Sequence, residues 1–185
     1  LFGVLAVLAY DRWRRDGWRP GAWLVPLLVA ASLLSAEAGL ATPGFLFAYA
    51  LYVDRGSLAR RLLRLLPTAL VVVAWQVVYA ARGYGVEASA VYVHPLHEPL
   101  AYARQVLVRA PLLVLGQLTP LGSDFSELYS PAVLGAVLLL TAALLVAVAR
   151  AAGPRLAAEP SSRLWLVGSA LALLPVASTT PSDSN

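Results

Sequence analysis

The chain has 185 residues, of which 59% are hydrophobic and 13% charged, with a mean hydropathy of +0.72. A water-exposed domain of this length carries about twice that charged fraction. The composition therefore argues against a soluble fold and predicts an all-α, polytopic transmembrane helical bundle embedded in a lipid bilayer. The formal net charge of +4 comes from arginine alone, and the arginines flank apolar runs, so no nucleic-acid partner is expected. Cysteine is absent, which removes disulfides and thiolate metal sites from consideration. The arginine bias, with abundant Ala, Leu, Val and Gly, suits a GC-rich bacterial genome and hence a bacterial inner (cytoplasmic) membrane.

In chain order, residues 1–10 read as the end of a spanning helix already under way, and the chain as a fragment of a longer protein. Residues 21–53 form a 33-residue apolar run whose only charge is Glu37. A lone carboxylate costs on the order of 3 kcal/mol at mid-membrane unless it is paired, wetted or near the surface. One straight helix of that length would reach about 50 Å, well beyond the hydrocarbon thickness. Gly39 and Pro43 supply break points, so the run is predicted to be a hairpin of two short crossings, 21–37 and 41–53, with its tip at 37–44. Residues 62–81 cross next, after an interfacial stretch at 58–64. Residues 82–130 form an extracytoplasmic loop. Within that loop 100–118 is expected to lie in the interface, because Tyr102, Gln105 and Arg109 share a stripe and Pro111 interrupts. Residues 131–149 and 164–177 are the last two crossings, joined by an ordinary loop at 150–163.

Arginine fixes the orientation. Clusters at Arg12, Arg14, Arg15 and Arg19, at Arg55, Arg60, Arg61 and Arg64, and at Arg150, Arg155 and Arg163 are placed in the cytoplasm. Arg82, Arg104 and Arg109 then lie outside. The same orientation moves Glu37 to the outer boundary, with Glu87, Glu98, Asp124, Glu127, Asp183 and both histidines.

The densest chemical cluster there is Tyr92-Val93-His94-Pro95-Leu96-His97-Glu98-Pro99. Two imidazoles and a carboxylate are metal-ligand types. However, a helical zinc motif needs histidines four apart, and here they are three apart between prolines. A divalent metal is one alternative, acid–base or substrate hydrogen bonding another, and a rigid solvated loop the plainest. Arg82, Arg104 and Arg109 carry the fork that holds phosphate bidentately, or else contact lipid headgroups. Asp124 and Glu127 read as a turn and a helix start. Glu37 has three readings: a hairpin residue bonded to backbone N–H groups or to Arg82, a contact for a substrate from outside, or a proton-coupling carboxylate.

The stretch Leu33-Leu34-Ser35-Ala36-Glu37-Ala38-Gly39-Leu40-Ala41-Thr42-Pro43 resembles a segment of the multispanning C-type glycosyltransferases, which include relatives of protein O-mannosyltransferases. There a small or basic residue precedes Glu, and small residues and Pro follow. Tyr52-Val53-Asp54-Arg55 is similar to the acidic cytoplasmic turn of that family. Leu66-Pro67 through Arg82 is similar to the Leu-Pro-opened helix that follows it. The resemblance spans roughly residues 20–110 and departs at Ala36, where Lys is common. It implies transfer of a sugar from a polyprenyl-phosphate donor on the extracytoplasmic face; separately, no cofactor is expected, a divalent metal being the alternative. Under the resemblance Glu37, Arg82, His94, His97, Arg104 and Arg109 would line the substrate cavity. The family's catalytic carboxylate would precede Leu1, so no residue here inherits that role. A transporter or a non-catalytic polytopic protein is the alternative.

Overall fold

The computed structural model describes residues 1–84, 98–118 and 130–177, and every regular element in them is helical. The chain divides into two compact units. The first comprises Leu1–Tyr84 and Ala158–Pro175, and the second Gly85–Ala157 and Val176–Asn185.

In the first unit, α1 (Phe2–Asp16), α2 (Gly21–Ser35) and α3 (Ala41–Tyr52) enclose the core. The sequence dictates this through small and β-branched residues at helical spacing. Ala6, Ala9 and Tyr10 form the buried stripe of α1. Val25, Val29 and Leu33, four apart, form that of α2, and Leu46, Ala48, Tyr49 and Ala50 that of α3. Small residues let backbones approach closely, and burial of so few large side chains suits helices that meet through them. Tyr10 is the centre of the core. Its ring meets Trp13 edge-on at 5.7 Å and Tyr49 edge-on at 5.2 Å, the favoured geometry for aromatic pairs.

The apolar run holding Glu37 does break, at residues 36–40 and ahead of Pro43. Helix α2 stops at Ser35, Ala36 is extended, and Glu37–Leu40 form a single 3-10 turn that leads directly into α3. Gly39 is the residue that permits the turn, since a Cβ there would collide with the backbone of Ser32 and Leu33. Pro43 lies in the first turn of α3, where its missing N–H has no helical acceptor to lose. Across this turn Ser32 Oγ and Thr42 Oγ1 are 3.3 Å apart.

After α3 a short helix, α4 (Leu58–Leu63), precedes α5 (Leu66–Ala81), which packs along α2. Helix α8 (Pro160–Ala177) begins four residues before the predicted crossing. Phe45 and Trp165 meet at 5.6 Å, and Gly168 leaves room for the Phe45 ring.

The second unit contains α6 (Pro99–Leu118) and α7 (Pro131–Ala158). Pro111 does not interrupt α6. A proline removes one hydrogen bond and bends a helix, and the flanking turns here are apolar enough to continue. Tyr102, Gln105 and Arg109 lie half-buried on the anticipated stripe, and Leu100 and Leu107 are exposed. Helix α7 also runs past its expected end. Residues 150–158, read as loop, are helical through Pro154, and Arg150 and Arg155 extend from its last turns.

Among the described helices, α7 alone is long and apolar enough to cross a membrane, and only 6% of its most apolar stretch is buried within the protein. The shorter apolar helices α2 and α5 measure about 22 and 24 Å. Both carry large apolar side chains outward: Trp23, Leu27 and Leu34 on α2, and Leu70, Val73 and Val77 on α5.

Candidate functional site

Two polar clusters occupy opposite ends of the first unit. Gly3 abuts Thr42 and Ser32, whereas Gly21 abuts Ala9 and Trp13, so α2 runs antiparallel to α1 and α3 runs parallel to it. The ends of α1 and α3 therefore meet at one pole, and the turn after α2 lies at the other.

The first pole is organised around Asp54. Its backbone N–H donates to the Tyr49 carbonyl at 3.0 Å, carrying the chain out of α3. The following turn uses Gly56 at φ 106°, a conformation that side-chain-bearing residues rarely adopt. Arg61 then clamps the turn. Its Nε donates to the Gly56 carbonyl at 2.8 Å, and its Nη1 to those of Leu51 at 3.1 Å and Ala50 at 3.3 Å. These last two are carbonyls of the final turn of α3, where a cation also complements the helix dipole.

Held in this way, the Asp54 side chain is 1% exposed and fully engaged. Arg14 Nε donates to both of its oxygens, at 3.0 and 2.9 Å. The Arg55 backbone N–H reaches Oδ1 at 2.7 Å, and Arg64 Nη1 lies 3.8 Å from Oδ2. The hydrogen bond to Asp54 holds the Arg14 guanidinium above its ordinary pKa. Beside this pair Asp11 accepts from Tyr49 Oη at 2.7 Å and pairs with Arg15 at 3.2 Å. The Tyr10 hydroxyl is buried beside Asp54. Arg14, Arg15, Tyr49, Val53, Asp54 and Arg55 line an open cleft of about 250 Å³. A carboxylate with every oxygen occupied by donors is a fixed structural anion and not a general base.

The second pole is organised around Glu37, which opens the 3-10 turn and is exposed. Tyr79 Oη, on the last turn of α5, donates a hydrogen bond to Glu37 Oε1. Tyr79 stacks on Trp75 at 4.6 Å with the rings 28° apart, and the Tyr84 ring lies 5.5 Å from that of Tyr79, tilted by 41°. Arg82 caps the same helix and is exposed. The pole thus combines a carboxylate, three aromatic rings and a guanidinium.

Of the residues chosen from sequence, Glu37 and Arg82 lie at this second pole. Arg104 and Arg109 lie on α6 in the other unit, Arg104 exposed and Arg109 half-buried. His94 and His97 lie outside the described residues. Among the described residues no three His, Cys, Asp or Glu side chains are grouped to hold a metal ion. The aromatic partners Trp75, Tyr79 and Tyr84 were not singled out. The signal for two of them was their spacing of four within the helix leading to Arg82. The Asp54 pair was likewise missed as a site. Its signal was one acid closing an apolar run, ahead of a segment containing four arginines. Compared with protein-family profiles, curated proteins and solved structures, the chain matches none of them.

Proposed function

We propose that the chain belongs to a polytopic bundle in the bacterial inner membrane, and that it serves transfer of a sugar from a polyprenyl-phosphate donor at the outer face. The membrane part rests on the apolar faces that α2, α5 and α7 turn away from the protein. Large exposed patches of this kind are stable against lipid and would drive aggregation in water.

The observation that carries the transferase reading is the Glu37 pole. The Trp75–Tyr79 stack with Tyr84 offers flat apolar surface of the kind that sugar C–H faces pack on. Glu37 supplies a hydrogen-bond acceptor for hydroxyls, and Arg82 a donor fork for phosphate. A sugar and a phosphate are the two groups that such a donor presents together. The reading gives Glu37 and Arg82 binding roles and leaves proton abstraction from the acceptor to a carboxylate outside this chain. Arg104, Arg109, His94 and His97 remain proposed cavity residues.

The test is turnover of a polyprenyl-phosphate sugar by the full-length protein in liposomes. Trp75→Ala and Arg82→Ala are each expected to lower kcat/KM about tenfold or more, the loss of one well-placed binding group. Parent-like kinetics for both would remove this pole from the mechanism. A non-catalytic role is the second reading, favoured by the hydrogen bond that already holds Glu37 to Tyr79. Under it Glu37→Gln changes thermal stability and leaves turnover intact.

A further inference from the structure

The cleft at the Asp54 pole has a charge pattern that topology alone does not require. Arg14, Arg15 and Arg55 line it against one carboxylate, Asp54, and both oxygens of that carboxylate are already engaged by Arg14. Of the remaining two, Arg15 is exposed and shares Asp11 with Tyr49. The Arg55 side chain makes no hydrogen bond or ion pair with any described residue. The turn that positions Arg55 is rigid, because Arg61 clamps it and Asp54 accepts its backbone N–H. A volume of about 250 Å³ with an open mouth accepts a small group and its attachment to something larger.

From this we infer a phosphate-binding cleft, in which the Arg15 and Arg55 guanidinium groups hold the oxygens of a phosphate monoester or diester. Phosphate suits the arrangement better than a carboxylate does. It offers oxygens to two separate forks at once, and a positive surplus remains when Asp54 is set against Arg14 and Asp11 against Arg15. The Tyr49 hydroxyl and the Val53 side chain complete a wall that is polar on one side and apolar on the other.

Two sources present this chemistry. Below the cleft, α1 and α2 expose Leu5, Leu8 and Trp23, and Arg12 lies over the Trp18 ring at 5.1 Å. An apolar face that ends in an indole and a guanidinium is what a helix presents where it meets the headgroups of a bilayer. On the membrane reading the cleft faces the phosphates of the cytoplasmic leaflet, where anionic lipids attract basic segments. A free phosphate ester from solution is the other source. The anion chemistry itself stands independently of the transferase proposal.

The test uses full-length protein in detergent, with intrinsic tryptophan fluorescence following titration at about 0.15 M salt. The probes are short-chain phosphatidylglycerol, short-chain phosphatidylcholine and inorganic phosphate. Phosphatidylglycerol is expected to bind about tenfold more tightly than phosphatidylcholine. Arg55→Ala, and the double variant with Arg15→Ala, should each weaken it about tenfold. Arg60→Ala, an exposed arginine outside the cleft, should change affinity by less than about twofold. If inorganic phosphate displaces phosphatidylglycerol, the cleft takes a free phosphate. If it does not, the headgroup within a lipid is required, and both results support the site. Absence of binding by both anions overturns it, as does an Arg60→Ala loss equal to that of Arg55→Ala. The single Arg55→Ala variant keeps the test valid if the double variant does not fold, since that exposed side chain makes no hydrogen bond or ion pair with any described residue.

Discussion

The two poles of the first unit each hold one conspicuous acid, and the acids differ in what surrounds them. Asp54 is buried and saturated by Arg14, the Arg55 backbone and the approach of Arg64. Glu37 is exposed and bonded to a tyrosine hydroxyl beside stacked rings. A buried carboxylate loses its hydration and must recover it from fixed donors, which locks the surrounding backbone. An exposed one keeps solvent as an alternative partner and can exchange it for a ligand. The comparison teaches that the acid out of place in the sequence is the less constrained of the two. The acid read only as part of a cytoplasmic turn is the one that anchors the packed end of α1 and α3.

The largest expected effect breaks the Asp54 pole. Asp54→Ala would leave Arg14 half-sequestered without its anion and free the turn after α3. Removing one member of a buried pair destabilises by about 3–5 kcal/mol, and Arg14, 14% exposed, recovers some of that from water. We expect a loss of about 3 kcal/mol, measured by denaturant unfolding in mild detergent. A loss below about 1 kcal/mol would place Asp54 in the same class as an exposed surface pair and erase the contrast between the poles.

Second in size is Gly39→Ala, which attacks the turn that delivers Glu37. The added methyl meets backbone atoms of Ser32 and Leu33 that cannot rotate aside, so α2 and the 3-10 turn must separate. Overpacking of this kind costs about 1–3 kcal/mol. The same substitution at Gly135, where nothing lies within 4 Å, should be neutral or slightly stabilising because Ala favours a helix interior. Equal melting shifts for the two variants would show that the close approach at Gly39 is not tight.

Third is Arg61→Ala. It withdraws three hydrogen bonds from the carbonyls of Ala50, Leu51 and Gly56; water can replace the donor at exposed Gly56 and half-buried Leu51, but Ala50 is buried. The expected cost is about 1 kcal/mol, typical of a helix C-terminal cap. Its readout is faster amide exchange at residues 53–57, with exchange in α2 unchanged.

Much of this architecture was legible because helix length and apolar periodicity are local properties. The break near Glu37 followed from the length of the run, and the end of α5 at Ala81 from the apolar run 62–81, although the helix begins at Leu66. What proline does inside a helix was not legible. Pro111 was read as an interruption and the stretch that holds Pro154 as a loop, yet each proline leaves its helix continuous, because one missing hydrogen bond is tolerated when both flanks favour helix. The partner of Glu37 was also hidden. Backbone N–H groups and Arg82 were the anticipated partners, and Tyr79, a donor to it that was not anticipated, lies 42 residues away on another helix. Pairings at that separation depend on which helices pack together, and no spacing in a single sequence encodes this directly. Asp54 illustrates the same limit, since Arg14 is 40 residues from it.

The smallest expected effect on stability is also the one that separates the roles of the poles most cleanly. Tyr79→Phe and Glu37→Gln each perturb one exposed hydrogen bond, and each should cost less than about 1 kcal/mol. If the two groups act only on each other, the double variant costs no more than the larger single change. The coupling then accounts for the whole effect. Tyr79→Phe retains the ring and its stack with Trp75, so it tests the hydroxyl alone. On the transferase reading Tyr79→Phe leaves the aromatic surface in place and lowers turnover little, whereas Glu37→Gln removes a negative acceptor and lowers it strongly. Equal losses of turnover from both would mean that the hydrogen bond positions Glu37 for its ligand. Equal retention would make Glu37, like Asp54, a residue of the fold.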